Sequence, residues 1–304
     1  MRRGKLKAKE IIKEAVKSSS FSQDQIEQVL GFCNARVPGY SDHFWRLYEE
    51  ARGMDDKECV NLSVEGEIHY LISQSARICF VIEYIQKAMG HMGRVIRVLD
   101  IGATQFTRFY RDLLDIHVTA LDRTGFLRAR FERQGIDFID CDFMKGEDIA
   151  AETDAFDLCI FTEVFEHMVL PPKQVFLPIR RVTRDGGMLI FSTPNIAKIQ
   201  NRIRLVRGQG ILAPIAWVLR DDFEDESPHG LGHIREYSIH ELCELASRYG
   251  YSTLDIAFPI ESAFILNHSL PDHIYRWLYG MFPSMGGHCQ ILARLDKPGQ
   301  QTTN

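Results

Sequence analysis

The stretch "RVIRVLDIG", residues 94–102, decides the fold. Its apolar run is typical of a buried strand, and Gly102 ends the run with a residue that lets the backbone turn tightly. Helical or connecting stretches separate it from four similar runs, at 117–122, 136–142, 156–161 and 187–193. Strands that alternate with helices in this way predict βαβ units and a parallel sheet with helices on both faces.

Two further strand-like runs lie nearer the end of the chain, at 252–258 and 288–295. They can pair with each other as an antiparallel edge, which large mixed sheets often carry. The predicted fold class is therefore α/β, with a doubly wound, mostly parallel sheet of seven strands.

We expect one main domain, residues 91–296, preceded by a helical extension or cap at 1–90, where apolar residues recur at helical spacing. Two long segments, 196–235 and 259–287, interrupt the domain. Segments of that length between strands are usually lids or substrate-binding elements. The polar residues 297–304 predict a disordered tail.

The chain has 304 residues, 45% of them hydrophobic and 25% charged, with a net charge of −5. This is the composition of an ordinary globular protein, and the negative balance argues against a chain built to bind nucleic acid. The seven cysteines are widely spaced, and several lie in apolar runs, as buried thiols do in a reducing compartment. The sequence shows no signal-peptide pattern and no segment of membrane-spanning length, so we expect a cytoplasmic protein.

Acidic residues stand at the ends of three predicted strands: Asp100, Asp122 and Asp142. In an open α/β sheet, ligands bind beyond the carboxyl ends of the strands, where the strand order reverses. Asp122 lies 22 residues after Asp100, close to the offset at which an acid meets a ribose hydroxyl. Each acid alone could be a helix cap, but the three together suit a cationic or hydroxyl-rich ligand better than a pyrophosphate.

These pieces resemble the class I S-adenosylmethionine-dependent methyltransferases, whose fold is Rossmann-like. The matching stretches appear in family order between residues 94 and 256: "VLDIGATQF", "ALD", "CDF", "FDLCIFTEVFEHM", "PIRRVTRDGGMLIFSTPN" and "GHIREYSIHELCELASRYGY". The resemblance implies that S-adenosyl-L-methionine is the cofactor and that the protein is a methyltransferase.

The resemblance also assigns contacts with the methionine part of the cofactor. Gly102 and Ala103, with the turn at Asp100, would line this part of the site. Thr162 and Glu163, after the fourth strand, would border the same end. These five positions are therefore expected to lie along the methionine part of the cofactor.

At the adenosine end, the resemblance implies that Asp122 holds the ribose hydroxyls and that Asp142 meets the adenine amino group, with Phe143 packed nearby. One departure concerns the first motif, where the family commonly has further glycines. This chain has Thr104 and Gln105 there, a change that bears on cofactor affinity rather than on the fold.

The stretch "FTEVFEHM", residues 161–168, carries two carboxylates and an imidazole at the mouth of the core. We expect a helix to begin near Val164, which would place Glu163, Glu166 and His167 on one face. Two of the open alternatives need no metal. In the first, Glu163 caps the helix and His167 bonds to a backbone carbonyl. In the second, His167, with Glu166 beside it, is the catalytic base that removes a hydroxyl proton.

A third alternative is a divalent metal site. Small-RNA 3′-end 2′-O-methyltransferases carry a similar E-x-x-E-H followed by a later histidine, and some quinone-biosynthesis O-methyltransferases look alike there. That resemblance implies Glu163, Glu166, His167 and His233 as ligands of Mg²⁺, Mn²⁺, Fe²⁺ or Zn²⁺. A bound cation would lower the pKa of an acceptor hydroxyl. His229 is interpreted as an ordinary loop histidine.

The functional hypothesis is O-methylation of a hydroxyl on a small-molecule, sugar or lipid-linked acceptor, with or without a metal. One alternative is 2′-O-methylation of an RNA 3′ end, and another is a non-catalytic binding protein on the same fold. Residues 199–220 interleave arginines with apolar residues. We interpret this segment first as a lid over the acceptor and second as an amphipathic segment that contacts a membrane.

Overall fold

The computed structural model describes residues 21–54, 63–93, 96–123, 125–211, 233–260 and 281–297. The strands within these ranges are β1 Arg97–Ile101, β2 His117–Asp122, β3 Asp137–Asp140, β4 Phe156–Thr162, β5 Thr183–Pro194, β6 Tyr251–Ala257 and β7 His288–Leu295. The helices are α1 Gln23–Arg36, α2 Tyr40–Arg52, α3 Val64–Met92, α4 Gln105–Leu114, α5 Gly125–Arg133, α6 Pro172–Val182, α7 Ile199–Val206 and α8 Ile239–Arg248.

The seven strands form one sheet in the order β3-β2-β1-β4-β5-β7-β6. Neighbours from β3 to β5 are parallel, while β7 runs antiparallel to both β5 and β6. The predicted Rossmann-like, doubly wound sheet with an antiparallel pair at one edge is confirmed. Strand order reverses between β1 and β4, which puts the ligand-binding crevice at the carboxyl ends of these two strands.

Each predicted run forms a strand, with ends that differ by a few residues. The largest difference is at β5, which begins at Thr183 instead of residue 187. Thr183 pairs with Phe156 ahead of an irregularity in the register, and Gly186 lies within this part of the strand at a φ of +67°. The sequence "RDGG" therefore bulges within a strand and does not precede it.

Helices cover both faces of the sheet. In β4, the side chains of Leu158 and Ile160 contribute to one hydrophobic core, and those of Cys159 and Phe161 to the other. This is the two-residue alternation of a strand that is buried on both faces. The first core includes α1, α2, α3 and α4, and the second includes α6 and α8. The described part of the N-terminal region thus packs directly on the sheet.

The prediction that a helix begins near Val164 is wrong. Residues Phe165–His167 form a single 3₁₀ turn, and the next α-helix, α6, starts at Pro172. Pro171 and Pro172 explain the difference, because neither can donate the backbone hydrogen bond that a helix running through them would need. The assumed common face of Glu163, Glu166 and His167 is therefore lost.

Several predictions fall outside the described residues. They concern residues 1–20 of the N-terminal extension, residues 212–232 and 261–280 of the two long segments, and residues 298–304 of the tail. None of the helices in the described ranges is long and apolar enough to cross a membrane. The six cysteines in those ranges carry free thiols, and five of them are buried.

Candidate functional site at the strand ends

The turn after β1 is held by its backbone. The N–H groups of Gly102 and Ala103 donate to the carbonyl oxygen of Leu121 at 3.0 and 3.2 Å, which ties the turn to β2. Gly102 has a φ of +77°, and a Cβ at this position would stand 2.4 Å from Cγ2 of Val164. Only glycine fits there, for reasons of backbone conformation and of space.

Asp100 lies buried under this turn and accepts a hydrogen bond from the hydroxyl of Thr107 at 2.6 Å. Burial raises the pKa of its carboxyl to about 7. The two residues that replace family glycines have structural roles here. Thr104 caps α4 in a capping box with Thr107, and the buried Gln105 amide donates to the carbonyl of Glu67 in α3.

The adenosine end of the crevice offers carboxylate oxygens that can accept hydrogen bonds from hydroxyl and amino groups. Asp122 is half-buried at the end of β2. Asp142 turns its Oδ2 toward Lys145 at 3.2 Å, while its buried Oδ1 has no hydrogen-bond partner among the described residues. Phe143 is buried next to it. A buried acceptor beside an aromatic ring fits the amino group and face of adenine, so these residues can hold the cofactor that the sequence implied.

Glu163 has a left-handed backbone, with a φ of +57°. One carboxylate oxygen accepts from the hydroxyl of Ser192, and the other accepts from Nδ1 of His288, both at 2.8 Å. Burial opposes ionisation of this carboxyl, but the charge of His288 and its hydrogen bond, followed by the charge of Arg77, lower the pKa of Glu163 to about 2.

Glu166, His167 and His233 come together at the same edge, and their potential ligand atoms lie within 4.8 Å of one another. Glu166 is only 1% exposed, and its Oε2 has no hydrogen-bond partner among the described residues. Burial, and then the charge of Glu163, raise the pKa of Glu166 well above its usual value. The rings of His167 and His233 pack edge to face, with 5.1 Å between their centroids.

Backbone contacts hold this group in place. The N–H groups of Ile234 and Arg235 both donate to the carbonyl oxygen of Glu166, at 2.8 and 3.3 Å. They bring the segment before α8 against the 3₁₀ turn. Three members of the predicted metal set are thus assembled, whereas Glu163 is engaged by Ser192 and His288. His229 lies outside the described residues. A buried carboxylate and two imidazoles can bind Mn²⁺, Fe²⁺ or Zn²⁺.

Two residues of the site were missed by the sequence analysis. His288 begins β7, and the antiparallel register sets it opposite Pro194 at the end of β5. Arg77 comes from α3 and is buried. Burial disfavours the charge of Arg77, but the negative charge of Glu163 and smaller contributions from neighbouring acidic groups together outweigh it and raise the pKa of the guanidinium. An arginine on the apolar side of a predicted helix was the available signal for Arg77.

A family model for the methyltransferase domain matches residues 73–256, which is more than half of the chain. No curated protein matches. Among solved structures, the 1,6-didemethyltoxoflavin-N1-methyltransferase of Burkholderia thailandensis, with bound 1,6-didemethyltoxoflavin and S-adenosylhomocysteine, is 16% identical, with a TM-score of 0.43 over 71% of this chain and 77% of that one.

Two other solved structures have a similar level of likeness. A putative sarcosine dimethylglycine methyltransferase from Galdieria sulphuraria is 15% identical, covers 73% of this chain and 86% of its own, and has a TM-score of 0.44. A SAM-dependent methyltransferase from Archaeoglobus fulgidus is 14% identical, covers 74% and 98%, and has a TM-score of 0.44.

Proposed function

Because this chain belongs to the methyltransferase-domain family, we propose that it transfers a methyl group from S-adenosyl-L-methionine to a hydroxyl of a small-molecule, sugar or lipid-linked acceptor. S-adenosyl-L-methionine is the cofactor. When bound, it supplies an electrophilic methyl group on a sulfonium centre. The observation that carries the choice of a hydroxyl is the group of Glu166, His167 and His233 at the carboxyl edge of the sheet.

The cofactor would be held by side chains from both ends of the crevice. Asp122 would bind the ribose hydroxyls, and the free Oδ1 of Asp142 would accept from the adenine amino group. At the other end, the turn at Gly102 would receive the methionine part. Arg77 adds a buried Nη1 with no hydrogen-bond partner among the described residues, which suits a carboxylate. Thr162 and Glu163 would border the same end, with the ionised Glu163 beside the methionine ammonium.

A hydroxyl acceptor needs a group that takes its proton, since an alkyl hydroxyl is a poor nucleophile near neutral pH. His167 is the proposed proton acceptor. Its imidazole is partly exposed, and its Nε2 stands 3.8 Å from Oε1 of Glu166. Glu166 would orient the ring. An unprotonated amine would need no such base to attack, which is why this group favours a hydroxyl.

Glu166, His167 and His233 also fit a divalent metal, and metal assistance is the second form of the proposal. The unpartnered Oε2 of Glu166 supports it, because a buried carboxylate oxygen is normally paired or bound to a cation. A metal at this point would lower the pKa of the acceptor hydroxyl and orient its oxygen. His167 would then be a ligand, and another group or solvent would take the proton.

The experiment is a methyl-transfer assay with the purified full chain and S-adenosyl-L-methionine that carries a labelled methyl group. The acceptors are catechols, sugars, a detergent-solubilised lipid alcohol, an amine and an RNA with a free 3′ hydroxyl. We expect a labelled ether from one of the first three. His167→Asn should lower kcat by about 100-fold or more, while the matched control His240→Asn, on an exposed histidine of α8, should leave it unchanged.

The other outcomes are distinct. Label on the amine alone would overturn the hydroxyl acceptor, and label on the RNA would select the nucleic-acid alternative. Cofactor binding in calorimetry with no product from any acceptor would favour a binding protein. Mn²⁺ titration by calorimetry separates the two forms: binding that His233→Asn abolishes supports the metal, and no binding leaves His167 as the base.

A further inference from the structure

The helix that follows β5 presents apolar side chains to the outside. In α7, Ile203, Leu205 and Val206 are exposed, Val206 by 89%. Asn201 is the one buried residue of this helix, and its side-chain amide donates to the carbonyl of Ile196 and to Glu236. The helix is therefore fixed at its start, while its apolar side chains face away from both hydrophobic cores.

Further exposed apolar side chains gather at the same edge of the sheet. Val169, 71% exposed, follows the 3₁₀ turn at the end of β4, and Ile234 bonds through its N–H to Glu166 in that turn. Met281 and Phe282 precede β7, whose first residue pairs with the end of β5. These seven are most of the ten large apolar residues exposed in the described ranges; the other three lie on α6 and on the edge strand β6.

The same surface is positively charged. Residues 199–207 contain three arginines and no acidic residue, in a chain with a net charge of −5. All three arginines, Arg202, Arg204 and Arg207, are exposed. Arg204 and Arg207 form no ion pair with any described residue. We name the seven apolar side chains and these three arginines the edge patch.

We propose that the edge patch docks on an anionic lipid bilayer and that the methyl acceptor is a hydroxyl of a lipid held in that bilayer. A short helix that carries both aliphatic and arginine side chains suits an interface, where the apolar groups enter the acyl boundary and the arginines meet lipid phosphates. Scattered exposed apolar residues are ordinary, but a cluster around a site entrance usually marks a contact surface.

Position connects the patch with the chemistry. Ile234 follows His233 directly and contacts Glu166, so membrane contact would bring the lipid surface to the proposed catalytic group. Six of the seven apolar side chains of the edge patch are not aromatic, so Phe282 alone gives nucleic-acid bases a ring to stack on. This favours a bilayer over RNA as the partner. The lipid acceptor rests on the proposed function, whereas the docking itself does not.

The test is flotation of the full chain with phosphatidylcholine vesicles, with and without phosphatidylglycerol. We expect binding to the anionic vesicles only, and weaker binding at high salt. Arg204→Glu combined with Arg207→Glu should reduce the affinity by at least about tenfold. Leu205→Ser combined with Val206→Ser should reduce it as well. Arg248→Glu at the end of α8 and Leu254→Ser on β6 are matched controls at exposed positions away from the patch.

Each variant is also checked for its melting temperature and its affinity for S-adenosyl-L-methionine, both of which should equal those of the parent. Absence of vesicle binding with cofactor binding intact would overturn the docking proposal alone. Loss of vesicle binding in the control variants, binding of RNA in place of vesicles, or a change from dimer to monomer on Leu205→Ser/Val206→Ser would overturn it as well. Vesicle binding without methyl transfer to any hydroxyl would instead overturn the proposed function.

Discussion

Replacing Glu163 with glutamine should remove a large part of the stability that this side chain contributes at the end of β4. The carboxylate accepts hydrogen bonds from Ser192 and His288, and its pKa is lowered from 4.5 to about 2. A folded-state pKa below the unfolded value means that this stabilisation is present above pH 4.5 and is lost as the pH falls through 2. The difference corresponds to about 3 kcal/mol at neutral pH, as an upper value, because glutamine still accepts from Ser192.

The measurement is urea unfolding of parent and Glu163→Gln, followed by circular dichroism. The loss of unfolding free energy should be about 3 kcal/mol at pH 7 and about 2 kcal/mol near pH 3.5. Glu244→Gln, on an exposed residue of α8, is the control and should change little at either pH. A loss that is the same at both pH values, or below about 0.5 kcal/mol at pH 7, would refute the assignment of an ionised Glu163 paired with His288.

Three other substitutions test the crevice. Gly102→Ala should destabilise the chain by about 2 kcal/mol or more in thermal unfolding. Adding Val164→Ala should restore the stability lost through the 2.4 Å overlap with the valine side chain, but not the stability lost through the left-handed backbone. Asp100→Asn should stabilise the cofactor-free chain at pH 8 by up to about 4 kcal/mol and have little effect near pH 4. The reason is that burial raises the Asp100 pKa from 3.8 to about 7, so the native carboxyl costs stability as the pH rises through that interval; no gain at pH 8 would contradict it. Asp142→Ala should weaken cofactor binding by about 10- to 100-fold in calorimetry, and unchanged affinity would exclude its contact with adenine.

Thr104 and Gln105, which stand where the family commonly has glycines, have structural roles in this chain. Thr104 and Gln105 replace small residues next to the cofactor turn, which by sequence alone reads as a loss of room. In the structure, Thr104 closes the first turn of α4, and Gln105 extends to the backbone of Glu67 in α3. The turn itself depends on Gly102, which is present. Conversion of Gln105 to glycine would therefore remove a link between two helices.

The sequence by itself determined the sheet. Each strand is a short apolar run bounded by polar or glycine residues, and such a run is a local property that can be read without knowledge of its neighbours. The strand-end acids followed too, because parallel strands in a βαβ series must end at one edge. Asp100, Asp122 and Asp142 were expected there from their positions at the ends of the apolar runs.

Only the tertiary structure decided that the E-x-x-E-H stretch does not act as one group: Glu163 pairs with Ser192 and His288, whereas Glu166 and His167 lie with His233. Sequence spacing predicted one helical face for Glu163, Glu166 and His167. Pro171 and Pro172 prevent that helix, so the three residues do not share a face. The backbone of Glu163 is left-handed, and its side chain bonds to residues of β5 and β7. His288 is 125 residues further along the chain. It reaches Glu163 because β7 inserts between β5 and β6, an order that no local pattern encodes.

The edge patch has the same origin. Its apolar side chains come from four separate segments, and each side chain alone looks like an ordinary exposed residue. Strand order brings those segments to one edge, since β4, β5 and β7 are neighbours whose ends adjoin. The sequence sets the side chains that each element offers, through local period and composition. The pairing of distant strands then determines which of those side chains meet, because it is set by packing over the whole sheet.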